Sequence, residues 1–215
     1  MKFSVGWSDI YGPWIHGTQG RWQNGRTEYP IRPRYPSRNK TMKQGNNVTI
    51  YAGARLVYQE NIVLGNHVTI DDFAFIVAKP FVLIGNYVHI AGFASIAGGG
   101  PFMMGDYSTL SWGARIFTGT EDLDGMVGAT IPEPYRKAKR SYVVIGKHCM
   151  VGANSVVLPG VTIPDGTVIG AMSLVLEGTK LKPWSIYAGT PVRWLRYRQR
   201  DKIQQLAEAL EREGQ

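Results

Sequence analysis

Four six-residue segments of this sequence recur at intervals of 20 residues. They read QGNNVT (44–49), LGNHVT (64–69), IGNYVH (84–89) and MGDYST (104–109). Each is followed by a second unit of six in which an aliphatic residue comes first and a small residue comes fifth. From Ile145 such units continue without a break, and Ile145 and Ile163 are 18 residues apart. A period of six fits neither an α-helix nor a single strand, so it limits the possible folds more than any other feature.

The repeat predicts a coil with three sides, each formed by one short strand. Every sixth side chain then points into a common interior, and the small fifth residue restricts the volume at the second inward position. A coil is complete after 18 residues, and the 20-residue version adds two residues at one corner. Coils stack at a strand spacing of about 4.8 Å, so about six of them form a prism about 30 Å long.

Two segments do not follow the repeat. It fails at about 118–142, where charges, prolines and glycines predict a loop excursion, and loops on a rigid scaffold often carry function. Near the C-terminus, Ile203, Leu206 and Leu210 fall on one face of a predicted helix, which we expect to pack against the protein.

We therefore expect three regions. They are an aromatic and basic segment at 1–43 that caps the N-terminal end of the prism, a β-helix domain at 44–191, and a basic segment with a helix at 192–215.

Composition argues against a disordered chain, a disulfide-stabilised scaffold and a membrane-spanning protein. A hydrophobic content of 44% with a single cysteine predicts one packed core that forms without disulfides in a reducing compartment. We find no signal-peptide pattern and no apolar run long enough to span a bilayer, so we expect a cytoplasmic protein without membrane insertion. The net charge of +8 favours an anionic ligand, but the cations gather near the two ends of the chain, and we do not expect nucleic-acid binding.

His89 is the candidate general base, because imidazole is the commonest side chain in that role at neutral pH. It ends its unit of six, directly before the inward-facing Ile90, and therefore faces outward on a flat side. Its equivalents in the stacked coils are Thr49, Thr69 and Thr109. A histidine that interrupts a ladder of threonines is a departure that packing does not require.

The other histidines and the cysteine favour structural roles. His67 and His148 take the fourth position of their units, near corners, and we interpret both as structural, while His16 lies in the aperiodic N-terminal segment. Cys149 takes a small inward position, which predicts a core residue rather than a nucleophile. A zinc site needs three converging imidazoles, and these histidines differ in face and phase, so we expect no metal.

The repeat resembles that of the hexapeptide-repeat acyltransferases. With the stretches VHIAGFASIAGGG (88–100) and RIFTGTEDLDG (115–125), it is most similar to the sugar O-acetyltransferases of lipopolysaccharide and capsule assembly, which are related to galactoside acetyltransferase. The resemblance covers about 44–191 and implies an all-β fold, the left-handed parallel β-helix.

The resemblance also implies which residues are catalytic. They are His89 and the acidic pair Glu121 and Asp122 of the excursion. The galactoside enzymes carry their catalytic histidine in the excursion after a Thr-Gly pair, whereas no histidine follows Thr118-Gly119 here before His148. Either His89 takes the role of base or the chemistry needs none.

The implied acyl donor is acetyl-CoA, bound in the groove between neighbouring prisms of a homotrimer. The implied donor contacts are Trp112, Ala153, Ala171, Lys180, Arg193 and Arg196. The two arginines have an independent reason, since guanidinium groups bind phosphate oxygens and coenzyme A carries several. A Thr-Lys pair common after the last repeat is replaced by Leu176-Glu177, and Lys180 or Lys182 would substitute for it.

The resemblance implies an acetyl-CoA-dependent O-acetyltransferase that modifies a sugar hydroxyl in surface polysaccharide biosynthesis. His89 would remove the hydroxyl proton during attack on the thioester, with Asp122 or Glu121 orienting the imidazole or binding the sugar. The glycine turn at 98–100 would let the backbone approach a ligand closely. Two alternatives stay open. One is N-acetylation of an amino sugar on a nucleotide carrier, and the other is a non-catalytic scaffold that binds an anionic partner.

Overall fold

The computed structural model describes residues 21–23, 26–28, 41–132 and 134–213. The chain divides into two compact units, Met1–Arg38 and Asn39–Gln215. In the first unit, β1 (Arg21–Gln23) and β2 (Arg26–Glu28) form an antiparallel hairpin. The cap expected at 1–43 lies outside the described residues, apart from this hairpin and the last three positions.

The second unit is a stack of coils with three short strands each. The first three coils contain β3 (Lys43–Gln44), β4 (Thr49–Ile50), β5 (Arg55–Val57), a 3₁₀ turn (Gln59–Asn61), β6 (Ile62–Leu64), β7 (Thr69–Ile70), β8 (Phe75–Val77), β9 (Val82–Ile84), β10 (His89–Ile90) and β11 (Ser95–Ala97). The next three contain β12 (Phe102–Met104), β13 (Thr109–Leu110), β14 (Arg115–Phe117), the inserted β15 (Gly119–Glu121) and β16 (Ala138–Arg140), β17 (Val143–Ile145), β18 (Met150–Val151), β19 (Val156–Val157), β20 (Thr162–Ile163), β21 (Val168–Ile169) and β22 (Leu174–Val175).

Strands of successive coils pair in parallel and form three faces. Face 1 contains β3, β6, β9, β12, β17 and β20; face 2 contains β4, β7, β10, β13, β18 and β21; face 3 contains β5, β8, β11, β14, β19 and β22. We call the turns between faces 1 and 2 the first corner, those between faces 2 and 3 the second corner, and those between faces 3 and 1 the third corner. The predicted parallel β-helix is confirmed.

The interior is formed by the residues that the repeat places there. Ile90, which opens a unit, and Ala94, its fifth residue, are both fully buried. Where a hydroxyl takes the fifth position, its hydrogen bonds are satisfied inside the stack, as when Ser155 Oγ donates to the carbonyl oxygen of Gly170 at 2.7 Å. This pairing removes most of the cost of burying a polar group.

A ladder of side-chain oxygens along the first corner explains the Gly-Asn and Gly-Asp pairs of the repeat. Oδ1 of Asn66 accepts a hydrogen bond from the backbone N–H of Asn46, one coil earlier, at 2.8 Å. Asn86 and Asp106 accept in the same way from Asn66 and Asn86, each also at 2.8 Å. Each contact joins equivalent residues of adjacent coils and so holds the coils in register.

Aromatic rings also stack along the first corner. The column contains His67, Tyr87, Tyr107, His148 and Trp184, with neighbouring ring centroids between 4.5 and 5.6 Å apart. Both histidines have φ of 56°, so they occupy left-handed corner positions as well as the stack. Burial lowers the pKa of His148, which favours a neutral ring there. His67 and His148 therefore have the structural roles expected of them.

The C-terminal segment contains β23 (Ser185–Ala188), β24 (Arg193–Tyr197) and α1 (Arg200–Glu213). β23 extends face 2 in parallel, but β24 pairs with β23 in the antiparallel direction, and the repeat gave no sign of this strand. Arg198 then fastens the chain to the first corner, because its Nη1 donates to the carbonyl oxygens of His148 at 2.6 Å and Gly166 at 2.7 Å.

The predicted C-terminal helix is confirmed as α1, and its apolar face is only partly covered in the single chain. None of its residues is buried, and Leu206 and Leu210 are 62% and 41% exposed. Its contacts with the stack include the Tyr107 hydroxyl, which donates to Glu211 at 2.6 Å, and the Trp184 ring, whose centroid is 5.8 Å from the guanidinium carbon of Arg200. Within the described part of the chain, no helix has the length and apolar character needed to cross a bilayer.

Candidate functional site

His89 lies on face 2, directly before the second corner. It pairs with Thr69 in the coil before and with Thr109 in the coil after, which is the alignment that the sequence repeat predicts. The imidazole points away from the buried Ile90, and the side chain is 45% exposed. A ligand lying on this corner can therefore reach the ring.

Asp71 is the partner of this imidazole. Nε2 of His89 lies 2.9 Å from Oδ2 of Asp71, which directly follows the strand that pairs with β10 in the preceding coil. An ionised carboxylate can only accept, so this hydrogen bond puts the proton of the neutral ring on Nε2 and leaves the lone pair on Nδ1. The pair has the geometry of a base held and oriented by a carboxylate.

Three of the expected donor contacts lie in one column along the second corner. Leu110, Val151 and Ile169 are paired across successive strands of face 2. Two residues further along the chain, Trp112, Ala153 and Ala171 therefore occupy equivalent positions in three consecutive coils. The two alanines leave this column above Trp112 free of bulky side chains, while Asn154 and the exposed Met172 follow them in the same turns.

The indole ring of Trp112 forms an apolar surface beside the coil that contains His89. A Cβ atom at Gly92, three residues after His89, would lie 3.0 Å from Cζ3 and 3.1 Å from Cη2 of the indole. The ring is 58% exposed, and its centroid is 5.8 Å from that of Phe93, itself 56% exposed. An acid–base pair and a column of donor-contact candidates therefore share this corner.

Of the remaining donor candidates, the structure brings Arg193 to this column. Arg193 lies in β24 and pairs with Ala188 at the second-corner end of β23, so it is two strand spacings beyond the coil of Ala171. Arg196 lies three residues further along β24, toward the first corner, and both arginines are exposed. Lys180 follows β22 and precedes β23, so it lies on the path over face 1 rather than at the second corner.

The excursion leaves the stack at the third corner as a two-stranded antiparallel ribbon of β15 and β16. Both carboxylates of the acidic pair have partners within it. Glu121 accepts from Nε of Arg136 at 2.9 and 3.1 Å, and Asp122 lies 3.8 Å from Nζ of Lys139. Within this chain, therefore, it is Asp71 and not Glu121 or Asp122 that orients the imidazole.

The glycine turn at 98–100 is explained by packing against the base of the excursion. A Cβ atom at Gly98 would collide with the backbone of Gly119, and one at Gly100 with the carbonyl oxygen of Ser141. Gly98 and Gly99 also have φ of 125° and 82°. The close approach expected at this turn is made by the protein's own backbone.

Cys149 is a core residue, as predicted. Its side chain is 2% exposed, and burial raises the pKa of the thiol to about 12, so it is not ionised at neutral pH. Among the described residues, no group of three or more His, Cys, Asp or Glu side chains is placed to hold a metal ion.

Sequence reasoning missed Asp71, although a signal was present. The unit IDDFAF (70–75) begins with two acids after its aliphatic residue, where the equivalent units read IYAGAR, IAGFAS and LSWGAR. Asp71 differs from the residues at the equivalent position of the other units, just as His89 differs from the threonines of its ladder. Both differences mark the second corner. The two departures lie in adjacent coils, which only the register between coils reveals.

Comparison with known sequences identifies the repeat. The family model described as "Bacterial transferase hexapeptide (six repeats)" matches residues 142–177. A dTDP-4-amino-4,6-dideoxy-D-glucose acyltransferase of Escherichia coli is 33% identical over 88 residues, 40% of this chain and 45% of that protein. A putative lipopolysaccharide biosynthesis O-acetyl transferase, WbbJ, of Escherichia coli K12 is 39% identical over 70 residues, 33% of this chain and 35% of that protein. The match thus spans less than half the length of these curated relatives.

A solved structure matches over a much larger part of its length. AntD, an N-acyltransferase from Bacillus cereus, is 34% identical in a variant solved with dTDP-4-amino-4,6-dideoxyglucose and coenzyme A. The match covers 80% of this chain and 91% of AntD, with a TM-score of 0.74. The same protein has been solved with dTDP and 3-hydroxybutyryl-CoA, and that structure covers 82% of this chain at the same TM-score of 0.74.

Proposed function

The chain belongs to the bacterial hexapeptide-repeat transferases, and we propose that it transfers an acyl group from an acyl-coenzyme A to the amino group of a sugar carried on a nucleotide. The observation that carries this proposal is the match to AntD, an N-acyltransferase bound to a dTDP-linked amino sugar and coenzyme A, over 91% of its length. This was the alternative in the sequence analysis, and the comparisons favour it over O-acetylation.

The second corner offers suitable contacts for the donor. The column of Trp112, Ala153 and Ala171 rises to Arg193 over four strand spacings, a length of about 19 Å. The thioester end would lie near the Trp112 ring, beside the coil of His89, and a phosphate group near the guanidinium of Arg193. Acetyl-CoA is the expected donor.

The reaction needs one new bond and one proton acceptor. The amine nitrogen attacks the thioester carbonyl carbon, the C–S bond breaks, and coenzyme A leaves as a thiolate. The amine gives up one proton to Nδ1 of His89, while Asp71 stabilises the imidazolium. That proton then passes to the thiolate, so the products are an amide and free coenzyme A. A neutral amine is already nucleophilic, so positioning supplies much of the rate.

O-acetylation of a sugar hydroxyl is the second candidate. A hydroxyl is a poor nucleophile at neutral pH, so it requires a general base more than an amine does. The hydrogen bond of 2.9 Å between His89 and Asp71 is the observation that favours this candidate, together with the likeness to WbbJ.

An acceptor comparison tests the proposal. Release of coenzyme A is followed with acetyl-CoA and either dTDP-4-amino-4,6-dideoxyglucose or dTDP-6-deoxyglucose, which carries a hydroxyl in place of the amine. We expect turnover with the amine and a rate at least about tenfold lower with the hydroxyl. Turnover of the hydroxyl compound alone would establish O-acetylation. If neither acceptor reacts and calorimetry detects no acetyl-CoA binding, the non-catalytic scaffold is the correct interpretation.

A further inference from the structure

A cavity of about 610 Å³ lies at the third corner, where the excursion leaves the stack. It is separated from the second corner by face 3 and contains none of the residues assigned above to acid–base chemistry or donor binding, apart from Glu121. Its volume is within the usual range for small-molecule sites, about 300–1,000 Å³. The corners of four successive coils contribute to its wall, from Lys79 to Pro159.

The polar part of the cavity is strongly cationic. Lys79, Arg136 and Arg140 line it together with one carboxylate, that of Glu121. Glu121 is bonded to Arg136, which holds that guanidinium in place at the wall. In the part of the chain that the structure describes, the side chains of Lys79 and Arg140 form no ion pair or hydrogen bond. Two exposed cations are therefore available to an anion.

The register of the ribbon explains why these cations face the same way. Side chains alternate along a strand, so Arg136, Ala138 and Arg140 share one side of the ribbon, while Lys137 and Lys139 lie on the other. Arg140 lies across Gly99, since a Cβ atom there would be 3.0 Å from its Nε. The absence of a side chain at Gly99 is what leaves room for this guanidinium.

The rest of the wall is apolar. Phe117, Leu158 and Pro159 form it together with Ala138. Pro159 is buried, while Phe117 and Leu158 are half-buried and end strands or turns of face 3. A ligand that fills the cavity therefore needs an apolar group as well as negative charge. A nucleoside diphosphate has both, since its base packs against apolar side chains and its phosphates pair with guanidinium and ammonium groups.

We propose that this cavity binds the nucleoside diphosphate of the acceptor, an inference that rests on the proposed transfer to a nucleotide-linked sugar. Both substrates carry a nucleotide, but the expected donor contacts lie along the second corner, which assigns the third-corner cavity to the acceptor. The strands of face 3 are three residues long or shorter, so about 10 Å separates the two corners. The sugar extends across this face toward His89.

The test is calorimetric titration with dTDP, and separately with coenzyme A, of the full-length protein and two sets of variants. The double variant Lys79→Ala/Arg140→Ala removes both available cations and should weaken dTDP binding about 100-fold. The matched control Lys137→Ala/Lys202→Ala removes the same charge from the opposite side of the ribbon and from α1, and should change dTDP affinity less than about twofold. Ala138→Trp fills the cavity without changing charge and should also abolish dTDP binding.

Coenzyme A affinity separates the possible outcomes. The inference holds if the cavity variants lose dTDP binding, keep coenzyme A affinity within about twofold, and unfold at the wild-type temperature. Wild-type dTDP affinity in both cavity variants overturns it, while acyl transfer to the amino sugar by those variants would leave the proposed function intact. Loss of coenzyme A binding with dTDP binding retained assigns the cavity to the donor and also overturns it. A wild-type protein that binds coenzyme A but not dTDP overturns the inference and the proposed acceptor together.

Discussion

At the scale of single residues, the hydrogen bond from His89 to Asp71 decides which ring nitrogen can accept a proton. With Nε2 engaged, Nδ1 is the basic atom. Replacing Asp71 by Asn removes the negative charge that stabilises the imidazolium and no longer dictates the tautomer, because an amide can donate or accept. Asp71 is thus a positioning residue that acts through His89.

We expect His89→Ala to lower kcat about 10²–10⁴-fold for a hydroxyl acceptor, but only about tenfold for an amine. Asp71→Asn should follow the same order with smaller losses, because the imidazole remains in place. Steady-state kinetics with both acceptors measures kcat and KM separately. Thr109→Ala, at the equivalent position of the next coil, is the control and should leave both constants unchanged. Equal losses on the two acceptors would contradict a proton-transfer role for His89.

Cys149 allows a prediction about pH and stability. Burial raises the pKa of its thiol from 9.0 to about 12 in the folded state. Above pH 9 the unfolded chain therefore loses this proton while the folded chain keeps it, so the free energy of unfolding falls as pH rises through this window. The slope contributed by one such group is about 1.4 kcal/mol per pH unit.

The measurement is chemical denaturation of the wild type and of Cys149→Ser between pH 8 and pH 11, a window of about three units that includes the ordinary thiol pKa. Serine does not titrate there, and Ser108 and Thr167 occupy the equivalent inward positions of the adjacent coils. The wild type should lose stability relative to the variant as pH increases. A constant difference across the range would mean that the thiol ionises equally well in the folded state.

At the scale of secondary structure elements, β24 decides which basic side chains can reach the donor. Because it runs antiparallel to β23, Arg193 comes to the second corner and Arg196 lies nearer the first. Arg193→Ala should therefore raise KM for acetyl-CoA more than Arg196→Ala, and the double variant should raise it about 100-fold. Dephospho-CoA donors should lose less than the full donor. An equal increase in KM for all donors would show that these arginines do not contact the phosphates.

The elements differ in how far the sequence predicts them. The coils were predictable because each buried residue has the same neighbours one coil away, so packing repeats in the sequence with the same period. β24 has no such period, since all of its residues are exposed and its pairing partner is defined by a reversal of the chain. The ribbon of β15 and β16 was predicted only as an excursion, because its pairing joins Gly119 to Arg140 across a segment without a hydrophobic pattern.

The candidate site also contains some residues that the sequence predicts and others that it does not. His89 stood out because it breaks a column whose other members are threonines. The third-corner cavity could not be predicted, since it combines Lys79 with Arg140 across 60 positions of sequence and depends on which side of the ribbon each residue occupies. The side that each of these residues faces can be assigned only when the strand pairing is known.

At the scale of the whole molecule, exposed aromatic side chains indicate association between copies of the chain. Phe73, Phe93 and Trp112 are 61%, 56% and 58% exposed and run along the second corner. An apolar strip of this kind is unusual on a monomer, and a three-sided prism suits cyclic threefold packing.

We therefore expect a homotrimer. Light scattering at micromolar concentration should give three times the chain mass of 23.9 kDa, about 72 kDa. A mass of 23.9 kDa would contradict the prediction and would remove any donor groove shared between chains.

The reversal at β24 also limits the growth of the molecule as a polymer. Each parallel coil presents unpaired backbone groups on which a further coil, from this chain or another, can be added in the same direction. On face 2 the last strand to be added runs the opposite way and carries arginines at 193 and 196, so the next parallel strand does not find the template that β23 provided. The repeat itself sets no limit on the number of coils that can stack. On face 2 the antiparallel strand β24 ends the parallel stacking and so discourages the addition of a further coil.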